Sequence, residues 1–370
     1  MTTQFDVCIQ GDGVVGRSLA LMLARQRLKV ALLQSHQGSP MHDIRAYALN
    51  RASRGLLEEV RAWPAEDGAT PVSAMQVWGD EGGQIRFEPE AGQHELAWLV
   101  PASQLLENLA QALRFAPQVT VVDSTQAVQA ALQVVCEGRD SSGRQALGIG
   151  WNSRPYAQKA LAARLQGVSP HGGEARQWFV DGEIVALLPM GGASGREWAL
   201  VWSVSLARAQ VLQALDAQGF VQALQARIGA QVGPFTLSSP VMGWPLHLSQ
   251  ADRWVGPGWA LAGDAAHTVH PLAGQGLNLG LADVRELARV IGDREFWRSP
   301  GDQRLLRRYE RARKAEVQAM GLLTDGLQGL FAYNSSQWQA LRNWGMNAVG
   351  SQRWIKSWLV RRAMGQSQEV

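Results

Sequence analysis

The sequence is poor in cysteine and contains no long apolar run. Its two cysteines, Cys8 and Cys136, are too few for a disulfide framework in 370 residues. Both lie in apolar, strand-like stretches, so we interpret them as packed thiols in a reducing compartment. No run of 18 apolar residues occurs, and only four residues precede the first predicted strand, so we expect neither a membrane-spanning helix nor a signal peptide.

Common catalytic signatures are missing as well. The seven histidines are dispersed, and His267 and His270 have no third ligand at a metal-binding spacing, so we predict no metal site. The chain has no G-x-S-x-G nucleophile elbow, no Walker phosphate loop and no nucleic-acid-binding motif. These absences argue against a serine hydrolase, a P-loop nucleotide hydrolase and a nucleic-acid partner.

The composition is that of an ordinary globular protein with a basic C-terminal end. Hydrophobic residues make up 46% and charged residues 18%, and 370 residues suffice for two domains. From residue 304 to the C-terminus, 11 Lys and Arg stand against 4 Asp and Glu. Four tryptophans accompany this excess, namely Trp338, Trp344, Trp354 and Trp358. Such a region suits docking at a membrane surface, although packing of the tryptophans in a core explains the same pattern.

The amino-terminal end carries a glycine-rich turn between a predicted strand and a predicted helix. Phe5–Gln10 has the pattern of a buried strand, 17–27 that of a helix, and 30–34 that of a second strand. Between the first two stands GDGVVG at 11–16, a G-x-G-x-x-G turn in the context that binds a dinucleotide. The usual ribose-binding acid about 20 residues further on is replaced by Gln34, whose carbonyl accepts a hydrogen bond without charge assistance.

A second glycine-bearing corner lies near the other end of the chain, in residues 258–292. An apolar run at 259–262 predicts a buried strand, and Gly263 and Asp264 follow it directly. After a glycine-containing loop, apolar residues recur at helical spacing at Leu277, Leu281, Val284, Ala288 and Ile291. Loop glycines admit close backbone approach, and a helix start favours an anionic ligand. The alternative is a tight strand-to-helix connection that holds no ligand.

The middle of the chain predicts an antiparallel sheet with one long helix. Strand-like segments at 157–165, 174–180, 184–189 and 198–205 are separated by glycine-rich turns, and the helix covers 206–228. We interpret 82–83 and 190–195 as hairpin turns. Residues 43–49 predict a helix start with Arg45 in its first turn, and 137–144 read as a polar loop.

The two corners resemble those of the FAD-dependent aromatic hydroxylases, above all in the block GDAAHTVHPLAGQGLNLGLADV at 263–284. Within that group the chain is similar to the ubiquinone-biosynthesis hydroxylases of the UbiH type, from Phe5 to Gly365. The stretches DIRAYALN, EIVALLPM and LLRRYERARKAEVQAM agree with the pattern of that family. A simple nicotinamide dehydrogenase would not carry the 263–284 block.

The resemblance implies an α/β fold. We expect a Rossmann-like, three-layer ββα FAD-binding domain, an inserted antiparallel-sheet substrate domain and a C-terminal helical region. The expected boundaries are 1–70, 98–155 and 252–300 for the FAD-binding domain, 71–97 and 156–251 for the substrate domain, and 301–370 for the helical region.

The resemblance also implies roles for individual residues. The three turn glycines would cradle the FAD diphosphate, and Gln34 would stand at the ribose. Arg45 would reach the phosphate and ring region, while Asp264 would hold the ribityl chain. The helix start at 274–278 would lie against the flavin ring, where its dipole would stabilise the anionic reduced form. The expected cofactor-binding residues are Gly11, Gly13, Val14, Val15, Gly16, Gln34, Arg45, Gly263, Asp264, Pro271, Gly274, Gln275, Gly276, Leu277 and Asn278. His270 is the one candidate for a general base.

The activity implied by the resemblance is that of a monooxygenase. NAD(P)H would reduce bound FAD, and O2 would then supply a hydroxyl group to the aromatic ring of a prenylated phenol or quinol intermediate of ubiquinone biosynthesis. Because the cofactor carries such chemistry, the sequence needs no nucleophile of its own. We expect a cytoplasmic protein. A peripheral contact with the inner face of the membrane, a ubiquinone-biosynthesis complex and a homodimer are further hypotheses.

Three departures from the family pattern keep alternatives open. Gln34 replaces the ribose acid, and Glu137 replaces the aspartate of the D-G-x-x-S-x-x-R motif at 137–144. The segment between Arg114 and Cys136 is shorter than in the family. The alternatives are an FAD-dependent reductase or dehydrogenase of the same fold, and a non-catalytic accessory member.

Overall fold

The computed structural model of the chain describes residues 4–34, 43–79, 83–123, 128–191, 195–229, 232–269 and 275–332. The strands of this part of the chain are β1 Gln4–Gln10, β2 Val30–Gln34, β3 Ala46–Leu49, β4 Thr70–Val72, β5 Ala74–Trp78, β6 Gln84–Phe87, β7 Ala97–Pro101, β8 Val119–Asp123, β9 Gln129–Val135, β10 Trp151–Gly167, β11 Glu174–Val180, β12 Glu183–Pro189, β13 Glu197–Ser205, β14 Phe235–Leu237, β15 Met242–Ala251, β16 Val255–Gly256, β17 Trp259–Leu261 and β18 His267–Thr268. Its α-helices are α1 Val14–Arg25, α2 Arg51–Glu59, α3 Ala102–Arg114, α4 Ser142–Ala146, α5 Leu206–Gln213, α6 Ala217–Ile228, α7 Gln275–Gly292 and α8 Gln303–Ala332.

One sheet has the order β16-β17-β9-β1-β2-β8 and contains strands from both ends of the chain. Strands β17, β9, β1, β2 and β8 run parallel, whereas β16 pairs with β17 in the antiparallel sense. Its strands are apolar on both faces, as parallel strands covered by helices must be, and Val7, Ile9, Leu132 and Val134 are fully buried. Because parallel strands end at one edge, the residues that follow β1, β9 and β17 lie side by side.

A larger sheet has the order β18-β15-β10-β13-β12-β11-β5-β6, and β14 also pairs with β10. Apart from the parallel β5–β11 pair, its strands are antiparallel. On one face Leu161, Leu165 and Trp202 pack with Phe220 and Leu224 of α6. A three-stranded sheet, β3-β7-β4, packs against the other face through a cluster that includes Val72, Leu99, Ala175 and Ala199.

Both predicted hairpins are confirmed. Strands β5 and β6 pair in the antiparallel sense around the turn at 79–83, and β12 and β13 pair around 190–195. Residues 80–82 and 192–194 of these turns lie outside the described ranges.

Two secondary-structure predictions are wrong. Residues 46–49 form strand β3, paired with β7, and helix α2 starts only at Arg51, because Asn50 caps it by accepting from the Ser53 N–H. The predicted helix 206–228 is two helices, α5 and α6. Asp216 starts a new helix by accepting from the Gly219 N–H, which breaks the ladder between them.

The C-terminal helix α8 packs against α7 and against strand β16 of the first sheet. Its residues Leu305, Leu306 and Tyr309 are buried in the same core as α1 and α7. In the part of the chain that the structure describes, no helix is both long enough and apolar enough to cross a bilayer.

Candidate functional site

The turn after β1 is shaped by glycines that serve two different purposes. Gly11 has φ +106°, and a Cβ there would lie 2.5 Å from the carbonyl oxygen of Cys136. A Cβ at Gly16 would lie 1.8 Å from the carbonyl oxygen of Gly11. At Gly13, by contrast, a Cβ would meet no atom within 4 Å. The first and third glycines are therefore required by packing, whereas the second faces the kind of open space that lets a ligand approach the backbone.

Helix α1 begins at Val14, three residues earlier than predicted, so that Val14, Val15 and Gly16 form its first turn. Its N-cap, Gly13, offers no side chain to the first-turn N–H groups. Helices α2 and α6 do have side-chain caps, from Asn50 and Asp216. Uncapped N–H groups at the positive end of a helix dipole, beside open space, suit an anion such as a diphosphate.

Asp12 places a negative charge within this turn, and Arg17 balances it. The Arg17 Nε donates to the Asp12 carbonyl oxygen at 2.6 Å, and its Nη2 lies 3.5 Å from the Asp12 carboxylate. A further bond from Nη1 to the Leu106 carbonyl holds the guanidinium against α3 at 2.9 Å. The acid in the turn is thus compensated by the protein itself.

The two glycine-bearing corners are in direct contact. Gly263 follows β17 with φ +64°, and a Cβ there would lie 3.2 Å from the Val15 side chain. A Cβ at Gly280 on α7 would come within 2.9 Å of the same valine. The first turn of α1, the end of β17 and the start of α7 therefore pack together, although they come from opposite ends of the sequence.

Asp264 lies at this junction, directly after Gly263. By surface area its side chain is exposed, yet burial by surrounding protein raises its pKa, while His267, Arg45 and Arg139 act in the opposite direction. A carboxylate that is open to solvent on one side and enclosed on the others satisfies both observations. Such an acceptor could hold the hydroxyl groups of a ligand chain.

Arg45 reaches the same region from the loop before β3. Its guanidinium is paired with Asp43 through Nε at 2.9 Å and Nη2 at 2.6 Å. Burial raises the pKa of Asp43, but the hydrogen bonds and charge of Arg45 outweigh it, so that the net pKa is lowered. Asp264 also interacts electrostatically with Arg45. The arginine is therefore oriented near Asp264 before any ligand arrives.

Asn278, in the first turn of α7, bonds to protein rather than presenting its side chain to a ligand. Its Oδ1 accepts from the Asn50 N–H at 3.1 Å and from the Ser53 hydroxyl at 2.7 Å, and its Nδ2 donates to the Ala48 carbonyl at 2.8 Å. The side chain thereby fixes the start of α7 to β3 and α2. Gln275, Gly276 and Leu277 are half-buried in the same turn.

The remaining predicted site residues are separated from this junction or not described. Gln34 is exposed at the end of β2. In the sheet, β2 is three strands away from β17, which precedes Gly263 and Asp264. His270, Pro271 and Gly274 lie outside the described residues, and their predicted roles remain predictions.

A buried ionic network that the sequence analysis missed supports the Gly263 corner. Asp283 on α7 accepts from the Gly263 N–H at 2.9 Å and from the Arg313 Nε at 2.7 Å. The bond from Arg313 is to Oδ1, whereas Oδ2 accepts from Gly263 and also lies 2.7 Å from the His267 Nε2. Arg313 of α8 also donates to the Leu279 carbonyl at 3.2 Å, and the Trp254 ring stacks on His267 with 4.8 Å between centroids. One carboxylate thus ties together the turn, the strand after it and two helices.

Electrostatics keep Asp283 ionised. It is fully buried, and burial alone would raise its pKa, but His267 and Arg313 outweigh that effect and lower it. A signal for this residue was present in the sequence, because Asp283 stands four residues from both Leu279 and Leu287 on an apolar helix face. Its partners, which lie 16 residues before and 30 residues after it, could not be read from spacing.

The predicted polar loop at 137–144 is a loop only as far as Ser141, because helix α4 begins at Ser142, and the segment is held by specific bonds. Glu137 accepts from the Ser141 hydroxyl at 2.8 Å and from the Gly143 N–H at 2.7 Å, which closes a turn into α4. Arg144 is buried, stacks 3.8 Å over the Trp151 ring and donates to the Ala265 carbonyl at 3.1 Å. The motif therefore braces the Gly263–Ala265 turn, and Glu137 makes these bonds in the place of the family's aspartate.

Comparisons with known proteins agree with this geometry. The FAD binding domain family matches residues 114–322. The ubiquinone hydroxylase UbiL of Rhodospirillum rubrum is 30% identical over 97% of this chain and 89% of its own length. The 3-demethoxyubiquinol 3-hydroxylase of Escherichia coli is 29% identical over 99% of this chain and 100% of its own. The solved structure of PqsL, a probable FAD-dependent monooxygenase from Pseudomonas aeruginosa, matches with a TM-score of 0.75 at 22% identity and covers 94% of this chain and 100% of that one, which shows the shared fold.

Proposed function

Because the chain belongs to the FAD binding domain family and, with its ubiquinone-hydroxylase relatives, to the FAD-dependent monooxygenases, we propose that it hydroxylates the aromatic ring of a prenylated intermediate of ubiquinone biosynthesis. NAD(P)H is the reductant and O2 the oxygen source. The curated relatives named above are ubiquinone-pathway hydroxylases, and the chain matches them over nearly its whole length.

The observation that carries this proposal is the contact between the two corners. The open space at Gly13, the uncapped start of α1 and the exposed carboxylate of Asp264 offer, in one place, a diphosphate site and an acceptor for a polyhydroxy chain. FAD has both groups in one molecule. These residues therefore fit the cofactor that the family implies.

Different residues would hold the diphosphate, the ribityl chain and the ring of the cofactor. Gly13 to Gly16 would bind the diphosphate through backbone N–H groups, and Arg45, which Asp43 holds in place, would donate hydrogen bonds to it. Asp264 holds the ribityl hydroxyls. The start of α7, which Asn278 fixes, would place its N–H groups at the flavin ring and would favour negative charge there. When bound and reduced by NAD(P)H, FAD supplies the oxygen chemistry that side chains lack.

The substrate ring is held, in this proposal, between the start of α7 and the larger sheet. The larger sheet has half-buried small side chains, Ala162 and Ala186 among them, on the face opposite α5–α6, which the three-stranded sheet also contacts. The division into an FAD-binding domain, a substrate domain and a C-terminal helical region belongs to the same proposal.

Product analysis under 18O2 tests this activity. The purified chain, loaded with FAD, is incubated with NADH or NADPH and an extract of prenylated phenols from a strain blocked in ubiquinone synthesis. We expect one 18O atom in the ring of the product. Flavin turnover without labelled product would instead favour the reductase or dehydrogenase alternative.

The accessory-member alternative rested on the two changed positions, Gln34 and Glu137. The bonds that Glu137 makes to Ser141 and Gly143 remove one of them as a reason for doubt. A protein that purifies colourless and gains no flavin absorbance with added FAD would support the accessory role.

We further propose that the basic C-terminal region contacts the inner face of the membrane, from which a prenylated substrate must be taken. The tryptophans of this region lie beyond residue 332, outside the described part of the chain. Co-sedimentation with anionic liposomes compares the full chain with a truncation near residue 335. Equal binding by both would rule out the region as the docking element. Membership of a biosynthetic complex and a homodimer remain hypotheses of the same kind.

A further inference from the structure

A second acid stands beside the ribose position that Gln34 occupies. Strands β2 and β8 pair in parallel, with Gln34 in register with Asp123 at the last residue of each strand. Neighbouring strands are about 4.8 Å apart, and residues in register direct their side chains to the same face of the sheet. An amide and a carboxylate therefore stand side by side at this edge.

The order of the strands places Asp123 where the adenosine end of FAD extends. In the sequence of strands β9-β1-β2-β8, the glycine turn follows β1, and β8 is the next strand beyond β2. A dinucleotide whose diphosphate lies on the turn passes its ribose over the end of β2, toward β8. Asp123 therefore lies on the far side of the ribose from the diphosphate.

The chemistry also favours Asp123 over Gln34 as the principal acceptor. A carboxylate accepts hydroxyl donors with charge assistance, and such bonds are roughly twice as strong as those of a neutral amide. Asp123 is half-buried and already has an interaction within the chain. A carboxylate has about four acceptor positions and can take further donors. Asp12, the acid in the glycine turn, is engaged by Arg17 instead.

We propose that Asp123, at the end of β8, supplies the ribose-binding carboxylate that the family pattern places at the end of β2, so that the acid has moved to the neighbouring strand. This inference rests on the proposed function, because it takes FAD as the ligand. It makes Gln34 the secondary, neutral contact with the ribose hydroxyls.

The test pairs a change in the protein with a change in the ligand. FAD-depleted full-length protein is titrated calorimetrically with ADP and with 2′,3′-dideoxy-ADP, which lacks the ribose hydroxyls. We expect the wild type to prefer ADP by about tenfold, as for a charge-assisted bond. In D123N the preference falls below about threefold, while the affinity for dideoxy-ADP stays unchanged. If Asp123 had only a structural role, D123N would lower the affinities for ADP and dideoxy-ADP equally.

Two further variants make the result decisive. Q34E/D123N returns the acid to β2 and is expected to restore the preference for ADP. E107Q, which removes an exposed acid of α3, is the control and keeps the wild-type preference. D123N that retains the full preference overturns the inference and leaves the proposed function intact. Wild-type protein that binds neither FAD nor ADP overturns both, and Asp123→Ser replaces D123N if the latter does not fold.

Discussion

The Gly11–Gly16 corner is shaped by backbone, whereas the Gly263–Asp264 corner is held by side chains from three other segments. In the first, the carbonyls of Gly11 and Cys136 leave no room for a Cβ at Gly16 or Gly11. In the second, Asp283, His267 and Arg313 form a buried ionic cluster around the Gly263 N–H. The two corners touch through Val15. A binding site for one cofactor is therefore assembled from one part that packing enforces and another that depends on paired charges.

This difference predicts how substitutions would destabilise each corner. At the Gly11–Gly16 corner, a new side chain would destabilise the fold by steric conflict, independently of pH, whereas a glycine that faces open space can be substituted without loss of fold. The Gly263–Asp264 corner depends on a buried carboxylate, so it is destabilised when one charge is left without its partner, and this loss of stability depends on pH.

The largest effect is expected for Asp283→Asn. The substitution leaves the buried Arg313 guanidinium without its carboxylate, and breaking such a pair costs about 3–5 kcal/mol of unfolding free energy. Chemical denaturation measures the loss. The control is Asp293→Asn, which removes an exposed acid just beyond the same helix and is expected to change stability by less than about 0.5 kcal/mol. Equal losses in both variants would contradict a buried network.

The same network predicts a pH dependence. Because the folded pKa of Asp283 is lowered, its contribution is complete above its unfolded pKa of about 3.9 and is lost as the pH falls through the folded value. The difference in unfolding free energy between wild type and D283N is therefore expected to be constant from pH 8 to pH 5 and to shrink below about pH 4. A difference that instead disappears between pH 7 and 5 would point to a different titrating group.

Gly16→Ala is expected to be the next most damaging change. Its Cβ would overlap the Gly11 carbonyl oxygen at 1.8 Å, and relief of that clash requires a backbone shift that costs about 3 kcal/mol. The loss should be the same at pH 5 and pH 8. Gly55→Ala on α2 is the matched control, since a Cβ there meets nothing within 4 Å and should stabilise the helix by up to about 1 kcal/mol.

A smaller effect is expected for Glu137→Gln. Because the Ser141 hydroxyl and the Gly143 N–H both bond to Oε2, the amide can keep these bonds only through its single oxygen and without charge assistance, so about 1 kcal/mol is lost. Glu137→Asp restores the family's residue and should remain within about 1 kcal/mol of wild type. A thermal scan of the FAD-free proteins ranks the two, and a greater loss for the aspartate would show that the longer side chain is required here.

The smallest effect is expected for Asp264→Asn, and it has the opposite sign. Burial raises the folded pKa of Asp264, so the ionised group opposes folding at neutral pH and its removal is favourable. Because the side chain is partly open to solvent, the gain in FAD-free protein is about 1 °C in Tm. The gain should disappear as the pH falls below about 4. A fall in Tm at pH 7 would show that the ionised carboxylate of Asp264 stabilises the FAD-free protein, which would contradict this account.

The contrast between the corners also explains what could be predicted. The glycine turn could be placed from sequence because its requirements are local: a strand, three glycines and a helix. Strand β3 was mistaken for a helix start, because it pairs with residues of β7 that lie 49 to 55 positions further along the chain. The ionic network was missed for the same reason, since Asp283 could be recognised as unusual in an apolar face but its partners could not. The loop at 137–141 could be predicted from its polar residues, but the bond from Arg144 to the Ala265 carbonyl, 121 residues away, could not.

The central claim is that both corners hold one FAD molecule, and an equilibrium titration of FAD-depleted protein, followed by quenching of flavin fluorescence, tests it most directly. Three proteins are compared: wild type, Gly13→Val, which fills the open space of the first corner, and Asp264→Ala, which removes the acceptor of the second. We predict one FAD bound for each wild-type chain and an affinity at least about tenfold lower in each variant, with both variants folded. Wild-type affinity in either variant would show that its corner does not touch the cofactor and would contradict the shared site.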